Sequence, residues 1–324
     1  MDNNDKIFFV FTCVKDGRNY INRLFESLLQ QTKKNFIHYI YEDGSNDPLN
    51  EMVDDYIQKV NLLASPYTVI YENCKSNIGL NKATEHCLKK CNLKYYMWIN
   101  CDDWLDSDFF EEAGKFVKKH PNYAIYRSKM VFHKGVTETV VPNTKKEIKM
   151  FKRKHQLYPY LSNLYKFNHF IGNFKLLQEV NPNLFLIDCK TFFSDAQVCL
   201  PFIFEKYKFG YISKTKSHYL YRENSEFNSN SALNNTNFEP YLDYSFTNYY
   251  SIYQTSFKYS RLFGMYTQKK DYKRAIYLLR ERKKYLRKIG FSNRKVLIFD
   301  HSPNTWLIYC YIKLIFYRLK CIIF

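Results

Sequence analysis

The sequence lacks the common signatures of several nucleotide-binding and metal-binding proteins. Its nine glycines form neither the G-x-G-x-x-G of dinucleotide-binding folds nor the G-x-x-x-x-G-K of a P-loop. Its nine cysteines include no C-x-x-C pair, and Cys87 and Cys91 make no zinc site without two further ligands. An odd cysteine count without framework spacing predicts reduced thiols in a cytosolic compartment. The polar, acidic segment Met1–Lys6 is not expected to act as a signal peptide.

The sequence also lacks a convincing membrane span, which needs roughly 20 mostly uncharged residues. The apolar segment Trp306–Phe324 contains Lys313, Arg318 and Lys320. Two interpretations remain open: a helix packed on the domain, or a helix in the membrane interface whose cations meet anionic headgroups. We therefore expect a cytoplasmic protein that is either free or bound peripherally to the inner face of the cytoplasmic membrane.

The chain is strongly basic, with a formal net charge of +18. This charge favours anionic partners such as nucleic acid, acidic lipid or phosphorylated small molecules. One cluster of cations covers Lys145–Lys154 and another covers Lys269–Lys295. The first is typical of a solvated loop, and it could also border an acceptor site or contact lipid. Charge alone leaves a basic nucleic-acid-binding protein as an alternative.

Apolar periodicity predicts strands that alternate with helices in the first 108 residues. The predicted strands are Ile7–Cys13, Phe36–Tyr41, Tyr67–Glu72 and Tyr95–Asn100, and the predicted helices are Tyr20–Gln31, Met52–Leu63 and Asn77–Lys90. This alternation predicts an α/β fold with a mostly parallel sheet flanked by helices. Ligands bind such sheets beyond the carboxyl ends of the strands. Three polar turns follow strands here, near Thr12, at Glu42–Asp47 and at Asn100–Asp103.

The pattern is looser after Asp108. It predicts a helix over Phe109–Lys119, strands of a smaller antiparallel extension over Tyr123–Phe132 and Thr137–Val141, a helix over Ser194–Lys208 and a strand over Gly210–Tyr221. Asn224–Asn237 is rich in Asn and Ser and is predicted to be a linker. Beyond it, Asp271–Ile289 has the spacing of a basic amphipathic helix.

Asp102 and Asp103 follow a hydrophobic strand directly. Carboxylates in that position suit a hard divalent cation, Mn²⁺ or Mg²⁺, that binds phosphate oxygens. Such a cation offsets the charge that develops on a departing diphosphate. An isolated Asp-Asp pair is also typical of a helix N-cap or a surface turn. The strand before it and the helix that opens near Asp108 favour the metal–diphosphate interpretation.

Five motifs in one order give the segment Phe8–Asp108 a family resemblance. They are the opening strand and loop Phe9–Ile21, the S-x-x-x-Q-T helix end Ser27–Thr32, the turn Tyr41–Asp47, the helix start Asn77–Ala83 and the acidic turn Asn100–Asp103. Together they resemble the nucleotide-binding half of the family 2 inverting glycosyltransferases with the GT-A fold. Glu42 stands where the family has the first Asp of its D-D-G-S turn, and Asn100 replaces the first Asp of D-x-D-D.

The resemblance implies a donor site at the carboxyl edge of the sheet. Asp102 is expected to bind the metal that bridges the diphosphate. Thr12 and Asp43 are expected to hold the nucleoside. The other residues expected near the donor are Asn77, Lys82, Asn100, which would contact the ribose or the donor, and Asp103, which would be a supporting acid or a turn former.

The second half resembles the family more loosely. Phe193–Val198 resembles the E-D turn that carries the catalytic base, with Ser194 in place of the Glu, so Asp195 is the expected base. An Asp there is also typical of a helix N-cap. By the resemblance His218 is a further metal ligand, although a lone His is more often structural. Arg222 is expected either to meet the diphosphate or to form an ordinary salt bridge.

These features predict a catalytic domain over residues 1–223, with a nucleotide-sugar half over 1–108 and an acceptor half over 109–223, and a mainly helical basic region over 238–324. The expected activity is metal-dependent, inverting transfer of a hexose or N-acetylhexosamine from a UDP-sugar to a glycan or lipid-linked acceptor in surface polysaccharide or oligosaccharide synthesis. No nucleic-acid partner is expected, and the oligomeric state is not predicted.

Three alternatives remain. A sugar-phosphate nucleotidyltransferase would need a Gly-rich basic loop after the first strand. A nucleic-acid-binding protein would not need Asp102, Asp103 or Asp195. A catalytically inactive family member would be consistent with Asn100 and Ser194.

Overall fold

The computed structural model describes residues 6–152, 169–184 and 207–222, together with 198, 199, 202, 272–274, 276, 277 and 280. The chain divides into two compact units, one formed by residues 1–156, 166–188 and 192–225 and the other by 157–165, 189–191 and 226–324. Every element named below belongs to the first unit. The predicted helices Ser194–Lys208 and Asp271–Ile289 lie largely outside the described residues, and the linker Asn224–Asn237 and the segment Trp306–Phe324 lie wholly outside them. The predicted domain boundaries remain predictions.

The first half of the catalytic unit is the predicted parallel α/β layer. Its strands are β1 (Phe8–Val14), β2 (Phe36–Asp43), β3 (Thr68–Cys74) and β4 (Tyr95–Trp98), in the order β3-β2-β1-β4 and all parallel. The connecting helices are α1 (Ile21–Leu29), α2 (Asn50–Asn61) and α3 (Leu80–Lys90). Every residue of β1 and β2 is buried because helices cover both faces of a parallel sheet.

The second half extends the same sheet. Its elements are β5 (Trp104–Leu105), α4 (Phe109–Lys119), β6 (Ile125–Lys134), β7 (Thr137–Val141), α5 (Lys145–Phe151), β8 (Phe170–Asn173), α6 (Phe174–Val180) and β9 (Phe209–Leu220). β8 runs antiparallel between β4 and β6, and β6 pairs antiparallel with β7, so the predicted antiparallel extension is confirmed. β9 pairs parallel with β6 and antiparallel with β5, and this arrangement was not predicted.

Aromatic side chains fill the core between the sheet and helices α1, α2 and α4. Phe25 and Tyr56 stack with their ring centroids 4.0 Å apart, and Phe36 stacks on Phe110 at 4.5 Å. β8 approaches β4 so closely that a Cβ on Gly172 would lie 2.1 Å from Cζ of Tyr96. Only glycine leaves room for that ring, so the pairing that joins the two halves of the sheet depends on this residue.

The basic segment after β7 is partly helical, whereas the sequence predicted a solvated loop. Part of the cluster predicted as a solvated loop forms the helix α5. Thr144 explains the start of this helix, because its Oγ1 accepts the N–H of Glu147 at 3.1 Å while Glu147 Oε2 accepts the N–H of Thr144 at 3.1 Å, a capping box. Within the part of the chain that the structure describes, no helix is long and apolar enough to cross a membrane.

Candidate active site

Three polar loops meet at the carboxyl edge of the parallel strands, as predicted. The loop after β1 bonds the turn after β2, because Asp16 Oδ1 accepts the N–H of Asn46 at 2.9 Å and Arg18 pairs with Asp47 at 2.8 Å. The same loop packs on the turn after β4, where a Cβ on Gly17 would lie 3.0 Å from Sγ of Cys101. The adjacency of β2, β1 and β4 therefore brings these loops together.

Asp43 fixes the backbone that precedes helix α3. Its carboxylate is buried and accepts the N–H groups of Ile78 at 2.7 Å and Gly79 at 3.0 Å. Asn77 Oδ1 also accepts the Gly79 N–H, at 2.8 Å. These bonds hold residues 77–79 outside the helix, which begins at Leu80 rather than at the predicted Asn77. Asp43 and Asn77 are thus brought together.

Lys82 follows this loop in the first turn of α3, where its side chain is exposed. Gly44 occupies the tightest point between the two segments. Its φ is +66°, and a Cβ there would lie 2.4 Å from the backbone N of Asn77. The glycine of the D-G-S turn is therefore required by both its conformation and this close approach.

Thr12 belongs to a buried chain of hydrogen bonds. The residue has no exposed area, and its Oγ1 lies 3.1 Å from Nε2 of His38. His38 Nδ1 lies 3.1 Å from the Tyr56 hydroxyl, which bonds Tyr67 at 2.7 Å. Burial lowers the pKa of His38 to about 3, so the ring is neutral and one nitrogen donates while the other accepts. The nucleoside contact of Thr12 remains a prediction.

Asp102 forms a close ion pair with Arg222. Nε and Nη2 of the guanidinium both lie 2.6 Å from Oδ2 of the carboxylate, and Arg222 stacks over the Tyr20 ring at 4.3 Å. Burial raises the pKa of the Asp102 carboxyl, the neighbouring Asp103 raises it further, and Arg222 offsets part of the increase. This pair places the Arg222 guanidinium beside Asp102, although the two residues are 120 positions apart in the chain.

Asp103 is fully buried, and its carboxylate contacts three other residues. Asn100 Nδ2 donates to its Oδ2 at 2.9 Å, and the Leu220 N–H donates to its Oδ1 at 2.9 Å. His169 Nε2 lies 2.7 Å from Oδ2. Asn100 thus supports Asp103 directly. Sequence reasoning missed His169, since no pattern links a residue before β8 to the turn after β4.

His218 lies on β9 opposite Trp104 and contacts other partners than Asp102. Its Nε2 lies 2.9 Å from Oδ1 of Asp106, and its Nδ1 lies 2.9 Å from Nε2 of His133. The Trp104 ring stacks on His218 with centroids 5.0 Å apart. Burial lowers the pKa of His133, and the neighbouring His218 lowers it further. The predicted role of His218 as a metal ligand remains a prediction.

The acidic turn would supply one carboxylate, that of Asp102, to a divalent cation, which would take its other ligands from phosphate oxygens and water. No group of three or more His, Cys, Asp or Glu side chains converges on a metal position within the described residues. Oδ1 of Asp102 makes no bond to Arg222, because both guanidinium contacts are with Oδ2. One carboxylate with phosphate oxygens and waters is a common Mg²⁺ environment. Asp195 lies outside the described residues.

Comparisons with known proteins find similar glycosyltransferases. The chain is 26% identical over 117 residues to glycosyltransferase GlyA of Streptococcus pneumoniae, covering 36% of this chain and 16% of GlyA. It is 23% identical over 150 residues to the poly(ribitol-phosphate) β-N-acetylglucosaminyltransferase TarS of Staphylococcus aureus, covering 45% of this chain and 25% of TarS. This chain therefore spans a minor part of either relative.

The crystal structure of S. aureus TarS 1–349 in complex with UDP-GlcNAc superposes with a TM-score of 0.66 at 16% identity, covering 95% of this chain and 88% of that one. This likeness confirms the predicted GT-A fold. The family model described as glycosyl transferase family 2 matches residues 9–180, which is more than half of the sequence. The chain belongs to glycosyl transferase family 2.

Proposed function

We propose that the chain transfers a hexose or N-acetylhexosamine from a UDP-sugar to a hydroxyl of a glycan or lipid-linked acceptor, with inversion at the anomeric carbon. The observation that carries the proposal is that Asp43, at the end of β2, and the Asp102–Arg222 pair, after β4, lie at the same carboxyl edge of the parallel strands. TarS is named for N-acetylglucosamine transfer, and its structure holds UDP-GlcNAc. UDP-GlcNAc is therefore the first donor to test.

In the proposed complex, Asp43 lies beside the nucleoside and Arg222 donates hydrogen bonds to the diphosphate. The guanidinium suits two phosphate oxygens because its N–H groups form a planar fork. Asp102 is the residue that would hold the divalent cation. That cation would offset the negative charge of the leaving diphosphate.

The proposed base is Asp195. Its carboxylate takes the proton from the acceptor hydroxyl as the oxygen attacks the anomeric carbon. The bond from that carbon to the diphosphate oxygen breaks on the opposite side, so one displacement inverts the configuration. The cytoplasmic location and contact with the inner membrane surface also remain proposals.

The first test measures thermal stabilisation by UDP with Mn²⁺, by ADP with Mn²⁺ and by a mixed oligonucleotide. We expect UDP with Mn²⁺ to stabilise the parent and Asp55→Asn alike, because Asp55 is an exposed carboxylate on α2 that belongs to none of the loops at this edge. Asp43→Ala and Asp102→Asn should lose most of that stabilisation. Stabilisation by the oligonucleotide alone would overturn the proposal.

The second test screens nucleotide sugars for metal-dependent release of the nucleoside diphosphate. We expect release from a UDP-sugar in the parent and its loss in Asp195→Asn. Transfer that persists at the parental rate in Asp195→Asn would remove this residue from the role of base. Binding of UDP without release from any sugar would support an inactive family member instead.

A further inference from the structure

Asp103 joins three segments of the chain that are distant in sequence. Its carboxylate accepts hydrogen bonds from the Asn100 side chain at 2.9 Å, from the His169 ring at 2.7 Å and from the Leu220 N–H at 2.9 Å. These groups belong to the turn after β4, the residue before β8 and the end of β9. Bonds to an ionised acceptor in a buried position are stronger than neutral ones, so this carboxylate links the three segments firmly.

His169 occupies an energetically unfavourable position in the fold. Its φ is +53°, in the left-handed region that costs a non-glycine residue about 1 kcal/mol or more. Its side chain is 1% exposed, and among the described residues its Nδ1 has no hydrogen-bond partner. A strained backbone and an unsatisfied buried nitrogen both oppose folding. The compensating contact that the structure shows is the bond from Nε2 to Asp103.

The Asp103 links determine where the donor-site ion pair lies. Asp102 precedes Asp103 in the chain, and Arg222 follows Leu220 by two residues. Because Leu220 N–H bonds Asp103 Oδ1, the end of β9 is held against the acidic turn. That position brings the guanidinium of Arg222 to Oδ2 of Asp102 at 2.6 Å.

We infer that His169 is a positioning residue: by donating its Nε2–H to Asp103, it orients the carboxylate that holds Asp102 and Arg222 together for the donor diphosphate. Nothing in this role requires His169 to touch the donor. The inference rests on the proposed function only where turnover is measured. The position of Arg222 is a property of the donor-free protein and can be tested without any substrate.

Two substitutions separate the backbone of His169 from its hydrogen bond. His169→Asn tolerates the left-handed backbone well but is too short to reach Asp103. His169→Gln places an N–H near the position of Nε2 but fits the left-handed backbone less well. His120→Asn is the matched control, since His120 is a partly buried histidine at the end of α4 that stacks on Tyr123 at 4.9 Å.

The first measurement is the Arg222 Nε–H signal in protein labelled with ¹⁵N-arginine, identified by its loss in Arg222→Lys. We expect a signal protected from solvent exchange in the parent, in His169→Gln and in His120→Asn. In His169→Asn we expect the protection to fall at least tenfold. If His169 only stabilises the fold, His169→Asn lowers the melting temperature and leaves the Arg222 signal unchanged, which would overturn the inference.

The second measurement is kcat/KM for the UDP-sugar that the parent uses. We expect at least a tenfold loss in His169→Asn and a loss of no more than about threefold in His169→Gln. The reverse order would show that the backbone conformation matters rather than the bond to Asp103, and would also overturn the inference. If the parent uses no UDP-sugar, the proposed function fails, while the Arg222 signal still decides the role of His169.

Discussion

Because the His38 ring is fully buried, we predict that the protein loses stability in mild acid. The ring is fully buried between Thr12 and Tyr56, and burial lowers its pKa from 6.5 to about 3. As the pH falls below 6.5, the unfolded chain binds a proton on this ring and the folded protein does not. Stability is therefore complete above the unfolded pKa and falls as the pH drops toward the folded value.

The magnitude follows from the two pKa values. For one group that titrates at 6.5 in the unfolded chain and at about 3 in the folded protein, the free energy of unfolding falls by about 2 kcal/mol from about pH 7 to about pH 5. Other groups titrate over the same interval, so the measurement must isolate His38. His38→Gln removes this titration, and His120→Gln is the matched control for loss of a partly exposed imidazole.

The assay is urea-induced unfolding at both pH values. We expect His38→Gln to be less stable than the parent at neutral pH, since one buried partner loses its hydrogen bond, at a cost of about 1–3 kcal/mol. That deficit should shrink by about 2 kcal/mol at the lower pH, whereas His120→Gln should track the parent at both. A deficit that stays constant within about 0.5 kcal/mol, or a His38 ring that gives the ¹⁵N shifts of imidazolium near pH 5, would refute the reasoning.

Three further predictions concern the sheet and its edge. Gly172→Ala places a methyl group 2.1 Å from the Tyr96 ring and should cost about 1–3 kcal/mol in urea unfolding; an unchanged midpoint would contradict it. Asp43→Ala should speed amide exchange of Ile78 and Gly79 about tenfold, as expected when a buried acceptor is lost. Arg222→Gln should destabilise the fold by about 1–2 kcal/mol, between the values for exposed and buried pairs, and equal stability would show that the ion pair contributes nothing.

Local sequence patterns predicted many of the strands and helices well because each of these elements carries its own pattern of apolar residues. The predicted helix Phe109–Lys119 and strand Thr137–Val141 have the observed bounds, and β1 and β2 differ from prediction by no more than two residues at either end. The start of α3 was predicted three residues early, since Asp43 holds the preceding backbone in a non-helical conformation. β8, only four residues long, has too short a pattern to be read from the sequence.

The gathering of the polar turns at the carboxyl edge of the sheet was predicted because parallel topology alone brings the ends of β1, β2 and β4 together. The partners of each side chain there could not be predicted. Asp102 pairs with Arg222 and Asp103 with His169 across separations of 120 and 66 residues. No local periodicity encodes such contacts, and neither burial nor a positive φ at His169 can be read from residue type.

The sequence by itself determined the α/β layer, its order of elements and the three polar turns at its carboxyl edge, because continuous apolar runs mark buried strands and helical spacing of apolar residues marks the buried faces of helices. Tertiary structure alone decided which of the clustered acids pairs with the Arg222 guanidinium and which is fully buried among other protein groups. Asp103 became fully buried and bonded to three segments, while Asp102 kept one carboxylate oxygen beyond its bonds to Arg222. Two adjacent aspartates have the same chemistry. Their surroundings differ because His169, before β8, and the end of β9 contact Asp103, whereas Arg222 contacts Asp102.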